Sequence, residues 1–416
     1  MTSVSAPSPT DASAASVRDW LRVNAHPIPD TDPAHTGPDL DALIARLGAA
    51  TVVGLGESTR FSRQTYGVRE RIFRALVERH GFRVLAIQDS ARSGDRLDTY
   101  VRTGAGTAEA ALAEAWRPLR TAEMVATLAW IRAFNEQHPV DPIGILGVQP
   151  PHAEPTDYDA VLDYVRRAAP ELSDTIAAHL TPIRTAHRID EHVQRHQGIH
   201  PGRPFIDHAR DALALLEELP ETPERDAALT RARFIADFHL RSVAGQGGFA
   251  RDEWPSAERI LERATDTKIV YWDGIAHTAG VALGVGRTTA AAFLGAGSHL
   301  RERLGVGYAA VGVGFHHGDL GMTVAPDPSP DLVDAALGTV DQAAYYVDLR
   351  ADAPEPVDHW RRGSAKLRTI SGIYDPAKDA EANLEVTSLI DAFDALIHIR
   401  ETSPVGWLPE FAAATE

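Results

Sequence analysis

Apolar residues in this chain recur in two rhythms, and the switch between them sketches the architecture. Short apolar runs occur at Thr51 to Leu55, Val84 to Ile87 and Ile143 to Val148. Runs of that length closed by turn-forming residues predict strands buried on both faces. Between them, Tyr66 to Glu78 and Thr121 to Asn135 carry apolar residues at three- and four-residue spacing, which predicts helices. Strands alternating with helices imply a parallel sheet with helices on its faces. From Asp157 to Ala264 the strand rhythm fades, and segments such as Ala209 to Glu218 and Ala227 to Val243 show helical spacing. Strands are predicted again at Lys268 to Trp272, Ala290 to Leu294, Tyr308 to Val313 and Tyr345 to Leu349.

The pattern therefore predicts an α/β fold: a mostly parallel central sheet with flanking helices, interrupted by a helical cap insertion. In residue numbers this gives a flexible tail over 1–16, a first part of the α/β domain over 17–155, the cap over 156–265, and a second part over 266–416. There is no internal repeat.

Composition narrows the partners. A chain of 416 residues, 44% of them hydrophobic, can bury a full core. Its formal net charge of -17 argues against nucleic acid and anionic membrane, which both require concentrated Lys and Arg, and leaves a small molecule as the expected partner. No apolar run is long enough to cross a bilayer. Met1 to Ser16 lacks the basic start and apolar block of a secretory signal. With no cysteine, disulfides, thiolate nucleophiles and cysteine-bound metals are excluded, which suits a cytoplasmic setting.

The segment Thr51-Val-Val-Gly-Leu-Gly-Glu-Ser-Thr-Arg60 delivers a buried strand into a glycine turn bearing Glu57 and Arg60. Strand carboxyl ends are where α/β sheets place ligands and chemistry. Gly54 and Gly56 lack the third glycine and helix context of a dinucleotide fingerprint. There is no Gly-x-Ser-x-Gly elbow, so Ser58 reads as a turn residue. His192, His196 and His200 are spaced by four, but Gly198 and Pro201 should end that helix and no acidic ligand falls between the first two. No metal and no cofactor are expected.

Further blocks follow in order: Trp20-Leu-Arg22, Glu123 with Trp130-Ile-Arg-Ala-Phe-Asn135, Arg251-Asp252, Val270-Tyr-Trp-Asp-Gly-Ile-Ala-His277, Gly297-Ser-His-Leu-Arg-Glu-Arg-Leu-Gly305, Arg368-Thr-Ile-Ser-Gly-Ile-Tyr-Asp-Pro376 and Phe393-Asp-Ala-Leu-Ile-His398. Together with the Gly-Leu-Gly-Glu block, the series resembles the erythromycin esterase family over nearly the whole chain. The resemblance implies a metal-independent hydrolase scaffold that opens macrolide lactones. In that family a histidine acts as base on water, and glutamates and an arginine organise the site.

Carried over residue by residue, Glu57 matches the first glutamate of that pattern, Arg69 the helix arginine, and His277 the second histidine of a Trp-x-His-Asn-x-His block. The family's turn histidine is Arg60 here, its strand-end glutamate is Gln88, its first block histidine is Gly274 followed by Ile275, and a further aspartate is Gln149. Arginine keeps its proton at accessible pH and cannot replace a histidine base; it can supply charge and a donor fork. The replacements fall on the reacting positions and leave the framework blocks in place.

The catalytic candidates are Glu57, His277, Arg60 and Arg69, with Gln88, Arg251, Gly274, His316 and His317 as substrate-binding candidates. Each has a blander alternative. Glu57 could be a strand-end carboxylate neutralised by Arg60 or Arg69, His277 a helix-start histidine bonded to a carbonyl, and Gln88 a packed amide. His316 and His317 could supply the missing imidazole or lie on a surface loop, and side chains adjacent on an extended strand point in opposite directions. The expected function is an enzyme acting on a macrolide, polyketide-type or other natural product by non-standard, non-hydrolytic chemistry of isomerase, cyclase or lyase type. Residual ester or lactone hydrolysis, and a catalytically inactive binding or self-protection protein, remain the alternatives.

Overall fold

The computed structural model describes residues 9–244, 252–285 and 292–409. Its strands, in chain order, are β1 (His26–Pro27), β2 (Val52–Glu57), β3 (Phe82–Ser90), β4 (Gly144–Gln149), β5 (Lys268–Gly274), β6 (Leu283–Val285), β7 (Tyr308–Asp319), β8 (Val324–Ala325), β9 (Ala344–Asp348), β10 (Ala365–Arg368), β11 (Asn383–Val386) and β12 (Ala395–Thr402). Nine of them form one sheet in the order β1-β9-β12-β7-β2-β5-β3-β4, with β8 pairing off β7. The six strands from β12 to β4 run parallel, and β9, β1 and β8 pair antiparallel. A separate antiparallel sheet has the order β10-β11-β6.

The two-residue period of the strands sorts side chains into two cores. Val53 and Leu55 of β2, Val270 and Trp272 of β5 and Val311, Val313 and Phe315 of β7 enter one core. The alternating Val52, Ile269, Tyr271, Tyr308 and Ala310 enter the other. Burial on both faces is why β2 reads in sequence as a nearly unbroken apolar run: all six of its positions are buried.

Between β4 and β5 the described residues form helices without strands. The helices Pro155–Ala168, Ser173–Ile183, Phe205–Glu217 and Pro223–Arg241 share a third core, built by Tyr158, Val161, Leu180, Phe205, Leu216 and Ile235 among others. The last helix of this stretch, Trp254–Arg263, instead packs Ala257 and Ile260 into the second core of the sheet. At the other end of the chain, a helix runs over Pro9–Asn24, beginning inside the stretch 1–16 expected to be tail and continuing beyond it. No helix among the described residues is long and apolar enough to cross a membrane.

Part of the strand expected at Ala290 to Leu294 lies outside the described residues; Phe293 makes an isolated antiparallel bridge to Leu283, and Leu294 a parallel one to Asp252. The short helix Glu191–His196 stops ahead of Gly198, which takes φ 70°, and His200 turns to the Arg203 carbonyl at 3.1 Å. Gly54 and Gly56 have packing reasons. A Cβ on Gly54 would lie 2.2 Å from Tyr308 Oη, and one on Gly56 2.0 Å from Thr278 Oγ1.

Candidate active site

β2 lies between β5 and β7, so Glu57 leaves the carboxyl edge of the sheet beside Gly274 on one neighbour and Val313 on the other. The chain then turns through Ser58 to Phe61, and Ser62 caps the helix Arg63–His80 by accepting from Thr65 N at 3.1 Å. Nearly two turns into that helix, Arg69 comes back onto Glu57, with Nη2 2.5 Å from Oε2. Both side chains are nearly closed to solvent, at 3% and 4%. The Arg69 guanidinium also sits over the Trp272 ring at 4.8 Å and the Tyr66 ring at 5.0 Å, so cation–π contacts hold its plane.

Arg60 occupies the open side of the same carboxylate. Its Nη1 donates to Glu57 Oε1 at 3.2 Å and its Nη2 to Gln88 Oε1 at 2.5 Å, while Asp273 Oδ1 lies 3.6 Å from Nη2. Gln88 reaches this position at the end of β3, where the register with β4 shifts between Ile87 and Ser90. Such irregularities re-aim side chains at sheet edges. The same irregularity carries Asp89, whose carboxylate is buried and accepts from Ser93 Oγ at 2.7 Å and Trp116 N at 2.9 Å. Trp116, held by that bond, lies 4.3 Å from the Arg60 guanidinium carbon.

On the β5 side, Asp273 is buried and accepts from Tyr271 Oη and from Gly274 N, both at 2.6 Å. His277 follows on the short helix Ile275–Thr278. Its Nδ1 is 2.7 Å from Glu253 Oε1 and its Nε2 3.9 Å from Asp273 Oδ1. Glu253 is fixed in turn by Ala296 N at 3.1 Å. Gly274 separates the two cationic side chains: a Cβ there would meet His277 Cδ2 at 3.1 Å and Arg60 Nη2 at 3.2 Å.

The charges set one another. Burial acts to depress the His277 pKa, but Asp273 and Glu253 outweigh it and push the imidazole up to about 9, so it is protonated near neutral pH. Burial raises Glu57 above the usual carboxylate range against the opposing pull of Arg69 and Arg60. Burial likewise raises Asp273, against His277 and Arg60. The arrangement can hold an oxygen anion or carbonyl against two donors and can release a proton from His277. A neutral imidazole, the usual partner for activating water, is not part of it.

The structure thus gathers Glu57, Arg60, Arg69, Gln88, Gly274 and His277 in one place. Arg251 lies outside the described residues. His316 and His317 pair with each other and with Asp327, and no contact joins them to the Glu57 set among the described residues. Ser58 sits in the turn, with its carbonyl accepting from Ile370 N at 2.7 Å. Sequence reasoning did not select Asp273, Glu253 or Trp116. Asp273 was visible only as a neighbour of His277, Glu253 adjoins the Arg251-Asp252 block, and Trp116 has no sequence signal of its own. A cavity of about 560 Å³ opens elsewhere, between Ala113, Glu114 and Arg120 on one side and Pro155, Thr181, Arg184 and His187 on the other. None of the Glu57 set lines it.

Known structures share this fold. The chain is similar to a Bacillus cereus protein at 20% identity and TM-score 0.66, covering 95% of this chain and 99% of that one. It is similar to a succinoglycan biosynthesis protein at 21% identity and TM-score 0.63, covering 97% and 100%. A mutant of the erythromycin esterase EreC in its open conformation shares 16% identity at TM-score 0.55, covering 90% of this chain and 97% of that one. At these identities the likeness is one of fold. No curated protein sequence matches the chain. Residues 77–402 match the erythromycin esterase family, so the chain belongs to that family.

Proposed function

We propose that this chain is an enzyme that transfers a proton within an oxygen-rich natural product of macrolide or polyketide type, in place of delivering activated water to an ester. The carrying observation is the state of His277. Bonded to Glu253 and facing Asp273, it is an acid over the neutral range. In this reading His277 gives its proton to one atom of the substrate and, as the neutral imidazole left behind, takes a proton back from a neighbouring carbon, while Arg60, the more open of the two arginines, donates to the substrate oxygen that carries the electron density released. Glu57 and Gln88 aim Arg60, and Arg69 is a positioning residue closed behind Glu57. The family's hydrolase scaffold supports binding of a lactone or a related compound at this edge of the sheet.

One observation favours lactone hydrolysis as a second reading. Glu57 is raised by burial, and a carboxylate of raised pKa is a better base toward water. The products separate these readings. The protein is incubated with a panel of macrolide and polyketide lactones, and the products are resolved by chromatography and weighed by mass spectrometry. Proton transfer gives a product of unchanged mass that His277→Gln abolishes. Hydrolysis adds one water and responds to Glu57→Gln. Tight binding of a panel member with no product in either channel would overturn both readings in favour of a sequestering protein.

A further inference from the structure

We propose a second site, independent of the Glu57 set: His316, His317 and Asp327 form a binding site for a divalent cation of the zinc, cobalt or nickel type. Among the described residues these three make the one group of histidine and acidic side chains whose donor atoms converge closely enough to share an ion. The Nδ1 atoms of the two imidazoles are 2.9 Å apart, and each is 3.3 Å from Asp327 Oδ1. Three donors at roughly 2.0–2.1 Å from one ion, at angles between a right angle and the tetrahedral angle, stand about 2.8–3.4 Å from each other. The triangle matches that spacing, with the remaining coordination positions left to water.

Neighbouring side chains on a flat strand point to opposite faces. Here both imidazoles fold over the end of β7, next to Gly318 at φ 136°, where an added Cβ would lie 2.3 Å from Thr402 O. The backbone is braced at the same place. Arg368, wholly buried, donates through Nη1 to the His316 carbonyl and through Nη2 to the Pro326 carbonyl at 2.8 Å, with Asp379 at 2.6 Å as its counter-ion. One guanidinium therefore ties the strand bearing the histidines to the segment bearing the aspartate. Gly338 leaves room for the far edge of the His316 ring, since a Cβ there would stand 2.4 Å from His316 Nε2.

Donor chemistry selects the ion. Two imidazoles and one carboxylate favour zinc, cobalt or nickel over magnesium or calcium, which take oxygen ligands. The pair singled out in the sequence as a possible spare imidazole is thereby assigned to a cation.

The test uses the full chain, without an affinity tag and stripped with chelator, titrated with zinc chloride by calorimetry and with cobalt chloride by absorption. One equivalent is expected, with the cobalt spectrum showing nitrogen and oxygen ligation. Asp327→Asn, at an exposed position, and His317→Gln should each weaken affinity at least tenfold. Zinc should raise the thermal midpoint of the native chain and leave those of the two variants nearly unchanged. His196→Gln should retain the equivalent. An affinity unchanged in both site variants, an equivalent lost in His196→Gln, or no binding by the native chain would each overturn the proposal.

Discussion

Arg60 and Gly274 share one volume: the space a side chain at 274 would enter is held by Arg60 Nη2, 3.2 Å from where its Cβ would stand. Arginine at the first position and glycine at the second are thus a matched pair.

This complementarity predicts a coupling. Gly274→Ala should cost about 1 kcal/mol of stability, at the low end of overpacking, because both the His277 ring and the Arg60 guanidinium have to give way to the added methyl. In an Arg60→Ala background the same change should cost less, with only the His277 contact at 3.1 Å left. Urea unfolding of the four chains of this cycle measures the difference, and additive effects would disprove the shared volume.

The two arginines on Glu57 should part company when removed. Arg69→Met leaves a carboxylate that is 4% exposed without its closer partner and should lose about 3–5 kcal/mol. Arg60→Met, at a side chain 17% exposed, should cost far less and remove ligand binding or turnover. Thermal midpoints read beside product formation decide this, and equal destabilisation by both would refute it.

His277 sets a pH window. Its folded pKa of about 9 lies above its ordinary value of 6.5, so the folded state holds this proton more tightly than the unfolded chain. The stability it contributes is fully present below about pH 6.5 and is lost as pH rises through about 9. Denaturant titrations between pH 6 and 10 should show the decline in the native chain and a flatter profile in His277→Gln. Turnover that depends on His277 as an acid should fall over the same upper range.

Two buried histidines act in the opposite direction. Burial depresses His398 and His239 to about 3, well below 6.5, so protons favour the unfolded chain between those values. Stability should therefore fall as pH drops from about 6.5 toward 3, by up to about 1.4 kcal/mol per pH unit for each residue. His398→Leu should flatten this acid limb, as followed by unfolding at pH 4 and pH 7.

The central strands were legible because burial on both faces writes them as apolar runs, and Glu57 stood out as a carboxylate leaving such a run. β12 was quoted only as a framework block: past Ile399 it continues as Arg400, Glu401 and Thr402, which resembles a loop in composition. The antiparallel direction of β9 has no signature in periodicity, since both directions repeat every two residues. Asp273, Glu253 and Trp116 escaped because their roles arise from contacts across sequence gaps. Trp116 meets Arg60 only through the irregular turn at Asp89. His316 and His317 were visible as a pair, but Asp327 joins them by way of Arg368, which is remote in sequence.

β2 takes both its neighbours from the far half of the chain, beginning at Lys268 and Tyr308. During synthesis its open edges must wait for more than half of the polypeptide, including the helices after β4, before either is covered. An uncovered apolar strand is a template for association between chains. Expression of 1–265 alone would leave that template exposed, and such a fragment should aggregate where the whole protein folds.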